Sequence, residues 1–206
     1  MALRVHVVVP LKDPSQGKSR LAGALAEPQR LRLIHAMLDH VACAALRARG
    51  VAAVSVLARG AVRVPAGCAH LLDRGRDLNS ALVAAAHELC DGGAQLMLVL
   101  AADLPFVTAE EVEALIECGE REALVAAPDT LRAGTNALRI RLGGALPLRF
   151  GPDSLRAHAA AAEAARMPFE LLDRPGLACD IDEPAQLGLL AGAPAGADYS
   201  FLRSDR

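Results

Sequence analysis

Residues 95–105, with the sequence QLMLVLAADLP, form an apolar run that ends on the carboxylate of Asp103 and is stopped by Pro105. A run this apolar predicts a central parallel strand that helices cover on both faces. In open α/β sheets, ligands bind just beyond the carboxyl ends of such strands. We therefore expect Asp103 at the edge of a binding site, where a carboxylate commonly holds a divalent cation.

The composition predicts one globular domain with a core of small aliphatic side chains. The 206 residues are 53% hydrophobic but only 2% aromatic, so the core must be built from Ala, Leu and Val. A net charge of −2 argues against nucleic acid as the main partner, because nucleic-acid binding favours a basic face. No segment approaches the roughly 20 apolar residues of a membrane span, and the strand-like start does not resemble a signal peptide.

The cysteines and alanines bear on location and assembly. Five scattered cysteines, odd in number and never spaced as C-x-x-C, indicate reduced thiols in a cytoplasmic protein. The alanine-rich helix faces permit a homodimer, although nothing in the pattern requires one.

Strand-like and helix-like segments alternate along the chain, which predicts a mostly parallel sheet with helices on both faces. Strands are expected at residues 5–9, 51–57, 95–100, 124–127 and 169–172, and helices at 28–50, 77–90, 108–120, 153–166 and 183–190. Residues 136–142 and 146–150 flank Gly143 and Gly144, which favours an antiparallel hairpin. We expect a single three-layer α/β domain over residues 1–191, followed by a loose tail over residues 192–206.

A basic loop follows the first predicted strand. Its sequence, PLKDPSQGKSRL, carries three cations within nine residues, beside a glycine, at positions Lys12, Gly17, Lys18 and Arg20. Cations and backbone N–H groups in such a loop balance the charge of a triphosphate. An ordinary basic loop explains an isolated motif of this kind about equally well.

The same loop has a competing interpretation as a P-loop. Gly17, Lys18 and Ser19 follow a hydrophobic strand, and residues 98–103 resemble a Walker B strand. A P-loop needs a glycine five positions before Gly17, where backbone approaches phosphate closely, and that position is Lys12. A P-loop-like NTPase or kinase is therefore the second hypothesis.

Two weaker polar motifs lie in the middle of the chain. Asn79 stands at the start of a helix, where it can bond to a base or a ribose or simply cap the helix. Gly134 permits a close approach to a ligand, and Thr135 and Asn136 offer short polar contacts. A turn explains that second motif equally well.

The sequence FGPDS at residues 150–154 leads into a helix. Because a helix N-terminus presents unpaired N–H groups, Gly151 and Ser154 can hold the phosphate or carboxylate of a small anion. His158 lies one turn further on the same face, with no role that the sequence defines.

A second acidic cluster, DIDEP, occupies residues 180–184. In extended structure the carboxylates of Asp180 and Asp182 point the same way, toward one cation. The alternative is a turn before Pro184. Together with Asp103, this cluster favours a metal site. The five other histidines show no metal-ligand spacing.

These motifs, taken together and in order, resemble the 2-phospho-L-lactate guanylyltransferase family (CofC type) of coenzyme F-420 biosynthesis. The order is V-P-L-K…G-K-S-R-L, L-N-S-A-L, A-A-D-L-P, G-T-N-A-L, F-G-P-D-S-L-R-A-H and D-I-D-E-P, which covers nearly the whole chain. A-A-D-L-P occurs more widely among nucleotidyltransferases of the same fold, including molybdopterin guanylyltransferases, which keeps that class open as an alternative.

The resemblance implies a nucleotide-diphospho-sugar-transferase-like (Rossmann-like) fold and the transfer of GMP from GTP to the phosphate of a small phospho-acid. The acceptors implied are 2-phospho-L-lactate, phosphoenolpyruvate and 3-phospho-D-glycerate. Family motifs, carried over to this chain, imply magnesium at Asp103, Asp180 and Asp182, and a catalytic role for Lys18 and Asp103. They imply GTP contacts from Lys12, Gly17, Lys18, Arg20 and Asn79, and acceptor contacts from Thr135, Gly151 and Ser154.

The chain departs from the family pattern at two places. Arg132 and Ala133 precede Gly134 where the family often shows G-T, and Asp77 precedes Leu78 where glycine is frequent. The first departure bears on acceptor choice. The second bears on the contact expected from Asn79.

Overall fold

In the computed structural model, apolar strands from the first half of the chain lie next to one another and form one lateral half of a seven-stranded sheet. The structure describes residues 3–13, 17–193 and 199–203. The strands lie in the order β3-β2-β1-β4-β6-β5-β7. Their bounds are β1 Val5–Pro10, β2 Val51–Ala58, β3 Ala69–Leu72, β4 Leu96–Leu100, β5 Leu124–Pro128, β6 Thr135–Arg141 and β7 Phe169–Leu171.

Helices connect the strands and cover both faces of the sheet. The α-helices are α1 Glu27–Arg47, α2 Leu78–Asp91, α3 Ala109–Glu117, α4 Ser154–Ala164 and the one-turn α5 Pro175–Ala178. Short 3-10 helices span Ser19–Gly23, Pro184–Gly192 and Ser200–Arg203. In the described residues no helix combines the length and apolarity that crossing a membrane requires.

Capping residues fix where two of these helices begin. The carboxylate of Asp77 accepts a hydrogen bond from the Ser80 N–H at the start of α2, and the Thr108 hydroxyl accepts one from the Glu111 N–H at the start of α3. These caps satisfy N–H groups that have no partner within the helix. The Asp77 that departs from the family pattern is therefore the cap of α2.

Strand β6 is the one antiparallel member of the sheet. It pairs with β4 on one side and β5 on the other, while β4 runs parallel to β1 and β7 parallel to β5. The expected hairpin between residues 136–142 and 146–150 is wrong, because residues 146–150 form no strand. Both edges of β6 are already occupied by other strands, so no edge is left for a hairpin partner.

Edge strand β3 was not expected from the sequence. It has four residues, three of them exposed, and pairs only with β2. A short strand with one buried side chain carries almost no hydrophobic periodicity, which is the signal that sequence reasoning uses.

The core has a layer on each face of the sheet, as a three-layer fold requires. One layer lies between α1, α3 and the sheet, and the other between α2, α4 and the sheet. A third, smaller cluster contains Leu21, Leu33, Met37, Ile181, Leu190, Tyr199 and Phe201. Residues 194–198 and 204–206 of the expected loose tail lie outside the described residues. Tyr199 and Phe201, by contrast, are 6% and 7% exposed and pack on the domain.

A buried arginine ties β6 to the end of α3. Arg139 is 1% exposed and donates hydrogen bonds to the carbonyls of Ile116 (2.9 Å), Ala123 (3.3 Å) and Glu120. Ile116 lies in the last turn of α3, where carbonyls lack partners within the helix, and Glu120 and Ala123 lie in the segment that follows. The contact holds in place the strand whose first residues line the cleft described next.

Candidate active site

Two strands end and a third begins at one edge of the sheet, where a cleft opens. The carboxyl ends of β1 and β4 lie at this edge, and because β6 is antiparallel its amino end, at Thr135, lies there too. The Ala101 N–H donates to the Asn136 carbonyl at 2.8 Å, which joins the loop that carries Asp103 to the start of β6. Sequence reasoning could place Asp103 at this edge. Only the direction of β6 brings Thr135 and Asn136 beside it.

The three acidic residues expected to converge do so. One carboxylate oxygen from each of Asp103, Asp180 and Asp182 can be chosen so that all three atoms lie within 4.8 Å of one another. The side chain of Asp103 is 25% exposed and that of Asp182 is 46% exposed, so the cluster faces the cleft.

Side-chain amides hold the second acidic segment in its extended shape. Gln186 accepts hydrogen bonds from the backbone N–H groups of Asp182 and Glu183, both at 2.7 Å, and donates to the Asp180 carbonyl at 2.9 Å. The Asn136 amide donates to the Asp180 carboxylate at 3.3 Å and to the Ala178 carbonyl at 3.2 Å. From the sequence, Asn136 was offered only as a short polar contact beside Gly134, and Gln186 was assigned no role. The capping pattern of Glu183 and Gln186 is the signal that could have identified Gln186.

Lys18 contacts the acidic cluster directly. Its ammonium group donates to the Asp182 carboxylate at 2.7 Å and also to that of Asp103, and its side chain is only 8% exposed. Burial by itself lowers the pKa of Lys18, but the charges of Asp103 and Asp182 outweigh burial, and the pKa is raised. The lysine is therefore charged and lies where a cation neutralises two of the carboxylates.

The electrostatics and the ligand chemistry of this cluster suit a hard divalent cation. Burial, followed by the negative charge of Asp103, raises the pKa of the Asp180 carboxyl above its ordinary value. A bound cation stabilises clustered carboxylates that repel one another, and oxygen-only ligands favour Mg²⁺ over softer metals. The ammonium group of Lys18, between Asp103 and Asp182, supplies a positive charge of the kind that a bound cation would supply. The residues present thus fit the magnesium that the sequence motifs implied.

A cleft of about 600 Å³ extends from the acidic cluster. The expected nucleotide and acceptor residues, except Asn79, lie along its wall: Lys12, Gly17, Lys18, Arg20, Thr135, Gly151 and Ser154. Lys12 and Arg20 are exposed at its mouth, whereas Thr135 and Ser154 are 8% and 3% exposed. The cleft therefore joins a basic loop on one side to a buried polar wall on the other.

A second pocket of about 660 Å³ adjoins this cleft. The two share Pro10, Leu11, Lys12 and Leu78, and the second is also lined by Arg59, Asp73 and Arg76 from the ends of β2 and β3. The carboxylate of Asp73 accepts from the Gly75 N–H at 2.8 Å and lies 3.3 Å from Arg59 Nε. Sequence reasoning did not find this pocket, because part of its wall follows the unexpected strand β3.

The side chain of Asn79 bonds to the backbone of Phe150. Its amide donates to the Phe150 carbonyl at 2.9 Å, and its carbonyl oxygen accepts from the Phe150 N–H at 2.7 Å. Asn79 lines neither the cleft nor the second pocket, whereas Phe150 lines the cleft. The contact of Asn79 with the nucleoside stays a prediction.

Two glycines shape the side of the cleft where acceptor contacts were expected. Gly151 has φ +142°, a conformation that residues with a Cβ rarely adopt. A Cβ added at Gly134 would lie 2.7 Å from Asp129 Oδ2, so a larger residue there would displace the Asp129 carboxylate. Asp129 also lines the cleft and accepts from the Ala133 N–H at 2.8 Å, which makes it a site residue that the sequence did not reveal.

The P-loop interpretation does not agree with the conformation around Lys18. Lys18 is left-handed (φ 53°) and precedes the short 3-10 helix Ser19–Gly23, instead of starting the long helix whose N-terminus holds phosphate in a P-loop. Residues 14–16 of the loop lie outside the described residues. The lysine instead bonds to the acidic cluster, as described above.

The sheet order, with its single antiparallel strand beside an acidic cleft, defines the class of nucleotide-diphospho-sugar-transferase-like α/β domains. Among solved structures, the chain resembles a protein described as a nucleotide-diphospho-sugar transferase from Desulfovibrio desulfuricans (TM-score 0.74, 16% identity, 88% of this chain and 83% of that one). It also resembles a 4-diphosphocytidyl-2C-methyl-D-erythritol synthase (TM-score 0.62, 16% identity, 93% and 99% covered). At these identities the likeness concerns the fold alone.

Within this class the chain belongs to the family of CofC-like guanylyl transferases, whose family model matches residues 5–204. It is 41% identical over 193 residues to a phosphoenolpyruvate guanylyltransferase of Chloroflexus aggregans, covering 89% of this chain and 95% of that relative. A phosphoenolpyruvate guanylyltransferase of Rubrobacter xylanophilus is 39% identical over 207 residues, with 98% and 100% covered. The resemblance drawn from the sequence motifs is confirmed, and the protein is a guanylyltransferase.

Proposed function

We propose that this protein transfers GMP from GTP to the phosphate of phosphoenolpyruvate, with release of pyrophosphate, in the biosynthesis of coenzyme F-420. The observation that carries the proposal is the convergence of Asp103, Asp180, Asp182 and Lys18 in a cleft that a basic loop lines on one side and buried polar side chains line on the other. Such a site combines charge neutralisation with room for two phosphorylated substrates.

Phosphoenolpyruvate is the acceptor that the relatives favour. Both bacterial relatives described above carry its name, at identities near 40% over almost the whole chain. 2-Phospho-L-lactate and 3-phospho-D-glycerate have the same two anionic groups, a phosphate and a carboxylate. They differ by a double bond, a methyl group and a hydroxyl group, which the shape of the pocket distinguishes.

The nucleotide side of the site is assigned from charge and space. Lys12, Lys18 and Arg20 neutralise the triphosphate, and the backbone at Gly17 lets it approach the loop closely. The adjoining pocket of about 660 Å³, which is continuous with the cleft through Leu11 and Lys12, accommodates the nucleoside. The acceptor lies against Thr135, Gly151 and Ser154.

The reaction is an in-line displacement at the α-phosphorus. A phosphate oxygen of phosphoenolpyruvate forms a bond to the α-phosphorus of GTP, and the bond from that phosphorus to the bridging α–β oxygen breaks. Its electron pair leaves with pyrophosphate. The attacking phosphate is already a dianion near neutral pH, so no general base is required, and positioning and charge neutralisation supply most of the catalysis.

The three aspartates and Lys18 have different roles in the reaction. Asp103, Asp180 and Asp182 would hold magnesium, which when bound would supply Lewis-acid polarisation and charge neutralisation. Lys18 is buried beside these carboxylates and stays charged, so it offers a fixed positive charge to the departing pyrophosphate. This is the catalytic role that we assign to Lys18 and Asp103.

A direct assay tests the proposal. The protein is incubated with Mg²⁺, GTP labelled at the α-phosphate and one acid at a time, and pyrophosphate and labelled product are measured. We expect the label to enter the acid product with phosphoenolpyruvate, and pyrophosphate to be released in equal amount. Release of inorganic phosphate without transfer of the label would instead indicate an NTPase or kinase, and the proposal would be wrong.

Location and assembly complete the proposal. All five cysteines are free thiols, as expected of a protein in the reducing cytoplasm, where we place it. A dimer, which the alanine-rich helix faces permit, is testable by sedimentation. No nucleic-acid partner is assigned, in line with the net charge of −2.

A further inference from the structure

His158 is a fully buried polar side chain behind the acceptor wall of the cleft. It is 0% exposed, lies on α4 one turn after Ser154, and packs edge-on against the ring of Phe150 with ring centroids 4.8 Å apart. It does not line the cleft, so it cannot touch a substrate there. Its ring nitrogens nevertheless lie within hydrogen-bond distance of Thr135, which lines the cleft, and of Arg149, two residues before Gly151.

The two hydrogen bonds fix which nitrogen carries the proton. The backbone N–H of Arg149 donates to Nε2 at 2.9 Å, so Nε2 must be unprotonated. Burial lowers the pKa of His158 to about 4, which keeps the ring neutral near neutral pH. A neutral imidazole with a bare Nε2 carries its proton on Nδ1.

The proton on Nδ1 sets the direction of the neighbouring hydroxyl. Nδ1 lies 3.1 Å from Thr135 Oγ1, so the imidazole donates and the threonine oxygen accepts. The hydroxyl hydrogen of Thr135 is then available for a different acceptor. Thr135 lines the cleft, where the phospho-acid offers phosphate and carboxylate oxygens that accept hydrogen bonds.

The same ring also restrains the segment that carries Gly151. His158 holds this segment through the N–H of Arg149, and Asn79 holds it through the N–H and carbonyl of Phe150. One imidazole thus links two parts of the acceptor wall, the start of β6 and the loop before α4.

We propose that His158 is a positioning residue for the acceptor: it holds Thr135 as a hydrogen-bond donor to the phospho-acid and fixes the backbone before Gly151. This inference rests on the proposed function for the identity of the phospho-acid. It assigns a role to the histidine of the F-G-P-D-S-L-R-A-H motif, which the sequence left without one.

Two substitutions separate the two hydrogen bonds. In His158→Gln the side-chain oxygen can replace Nε2 as the acceptor for Arg149, but no group donates to Thr135. In His158→Asn the amide can replace Nδ1 as the donor to Thr135, but the bond to Arg149 is lost. His87→Gln on α2 makes the same change at an exposed histidine and serves as the matched control.

Steady-state kinetics give the first readout. We expect His158→Gln to raise the KM for phosphoenolpyruvate by about 10-fold with the KM for GTP unchanged, and His158→Asn to restore part of that loss. In a Thr135→Val background, His158→Gln should add less than about 2-fold, because its target hydroxyl is already gone. Equal changes in both KM values, or effects that multiply in the double variant, would overturn the proposal.

A second readout does not depend on activity. Two-bond ¹H–¹⁵N spectra of ¹⁵N-histidine protein report the tautomer of each imidazole, and the His158 signal is the one missing from His158→Gln. We expect a protonated Nδ1 and a bare Nε2 at neutral pH. The opposite tautomer would overturn the inference even in an active enzyme. A wild-type protein that shows the expected tautomer but transfers GMP to no acid would overturn the proposed function alone.

Discussion

The two walls of the cleft are built in different ways. On the nucleotide wall, Lys12 and Arg20 are exposed side chains of a loop. On the acceptor wall, Thr135 and Ser154 are 8% and 3% exposed and lie at the first residues of β6 and α4, and His158 behind them is 0% exposed. Side chains fixed by packing lose little freedom when a ligand binds, whereas exposed charges lose more and are screened by salt. We infer that the acceptor wall is preorganised and the basic loop acts mainly through charge.

The largest effect should come from the acidic cluster between the walls. Asp103→Asn removes one charge from the carboxylate cluster and should reduce kcat by about 10³-fold, because neutralisation of charge at the reacting phosphate is lost. The melting temperature should change little, since Asp103 is not part of the core. Asp91→Asn at the exposed end of α2 is the control. Near-normal turnover of Asp103→Asn with Mg²⁺ would refute the metal assignment.

Because the acceptor wall is held by a buried histidine, the free energy of unfolding should depend on pH. The pKa of His158 lies at about 4, below its ordinary value of 6.5, chiefly because of burial. Between these values the unfolded chain binds a proton that the folded protein does not. The free energy of unfolding should therefore fall by about 3 kcal/mol as the pH drops from about 6.5 to about 4.

Denaturant unfolding at several pH values measures this loss. The comparison is with His158→Gln, which retains every carboxylate but not the imidazole, so the difference in slope between the two proteins isolates His158. Parallel pH profiles would mean that the imidazole is not held neutral in the folded protein.

Ser154→Ala tests the acceptor wall by itself. The hydroxyl is lost at the N-terminus of α4 with almost no change in volume, so the fold should be retained. We expect the KM for phosphoenolpyruvate to rise by roughly 10- to 30-fold, the loss of one hydrogen bond to a charged group, and the KM for GTP to stay unchanged. The reverse pattern would move the acceptor to the other wall.

Asn79→Ala distinguishes the contact expected from the sequence from the contact seen in the structure. Because Asn79 bonds to both backbone groups of Phe150, we expect a KM for phosphoenolpyruvate about 10-fold higher and a smaller change for GTP. A selective increase in the KM for GTP would instead support the original expectation of a nucleoside contact. Asn79→Asp keeps the hydrogen-bond acceptor but not the donor, so its KM for phosphoenolpyruvate should lie between those of the wild type and Asn79→Ala.

The smallest effect is expected on the basic loop. Arg20→Ala should raise the KM for GTP by about 3-fold at low salt, and less at high salt, because an exposed charge is readily screened. Arg47→Ala, at the exposed end of α1, is the matched control. A large, salt-independent effect of Arg20→Ala would mean that this wall is as rigid as the acceptor wall.

Long apolar runs and helix starts were readable from the chain because their signals are local. Strand β4 begins one residue after its predicted start, and so do α2 and α3, because Asp77 and Thr108 are the caps that precede them. The convergence of the three aspartates was also predictable. A carboxylate at the end of a buried strand and a D-x-D segment that suits one cation both point to the same site.

Contacts between distant segments were not readable in this way. Strand β6 pairs with β4 and β5, which both precede it in the chain, and not with the segment that follows it, so the pattern of residues 136–150 suggested a hairpin where the fold has none. Asn79 and Phe150 are far apart in sequence, and no local pattern links them. The environment of His158 likewise exists only once α4 packs beside β6.

The chain by itself therefore determined the chemistry that was available: which segments are buried, and which carboxylates and cations stand at their ends. Tertiary structure decided how those groups are used, because the direction of one strand brings Thr135 and Asn136 beside Asp103, and packing converts His158 from a titratable surface group into a neutral, oriented one. Burial and hydrogen-bond geometry depend on neighbours that are remote in sequence, and only the folded molecule supplies them.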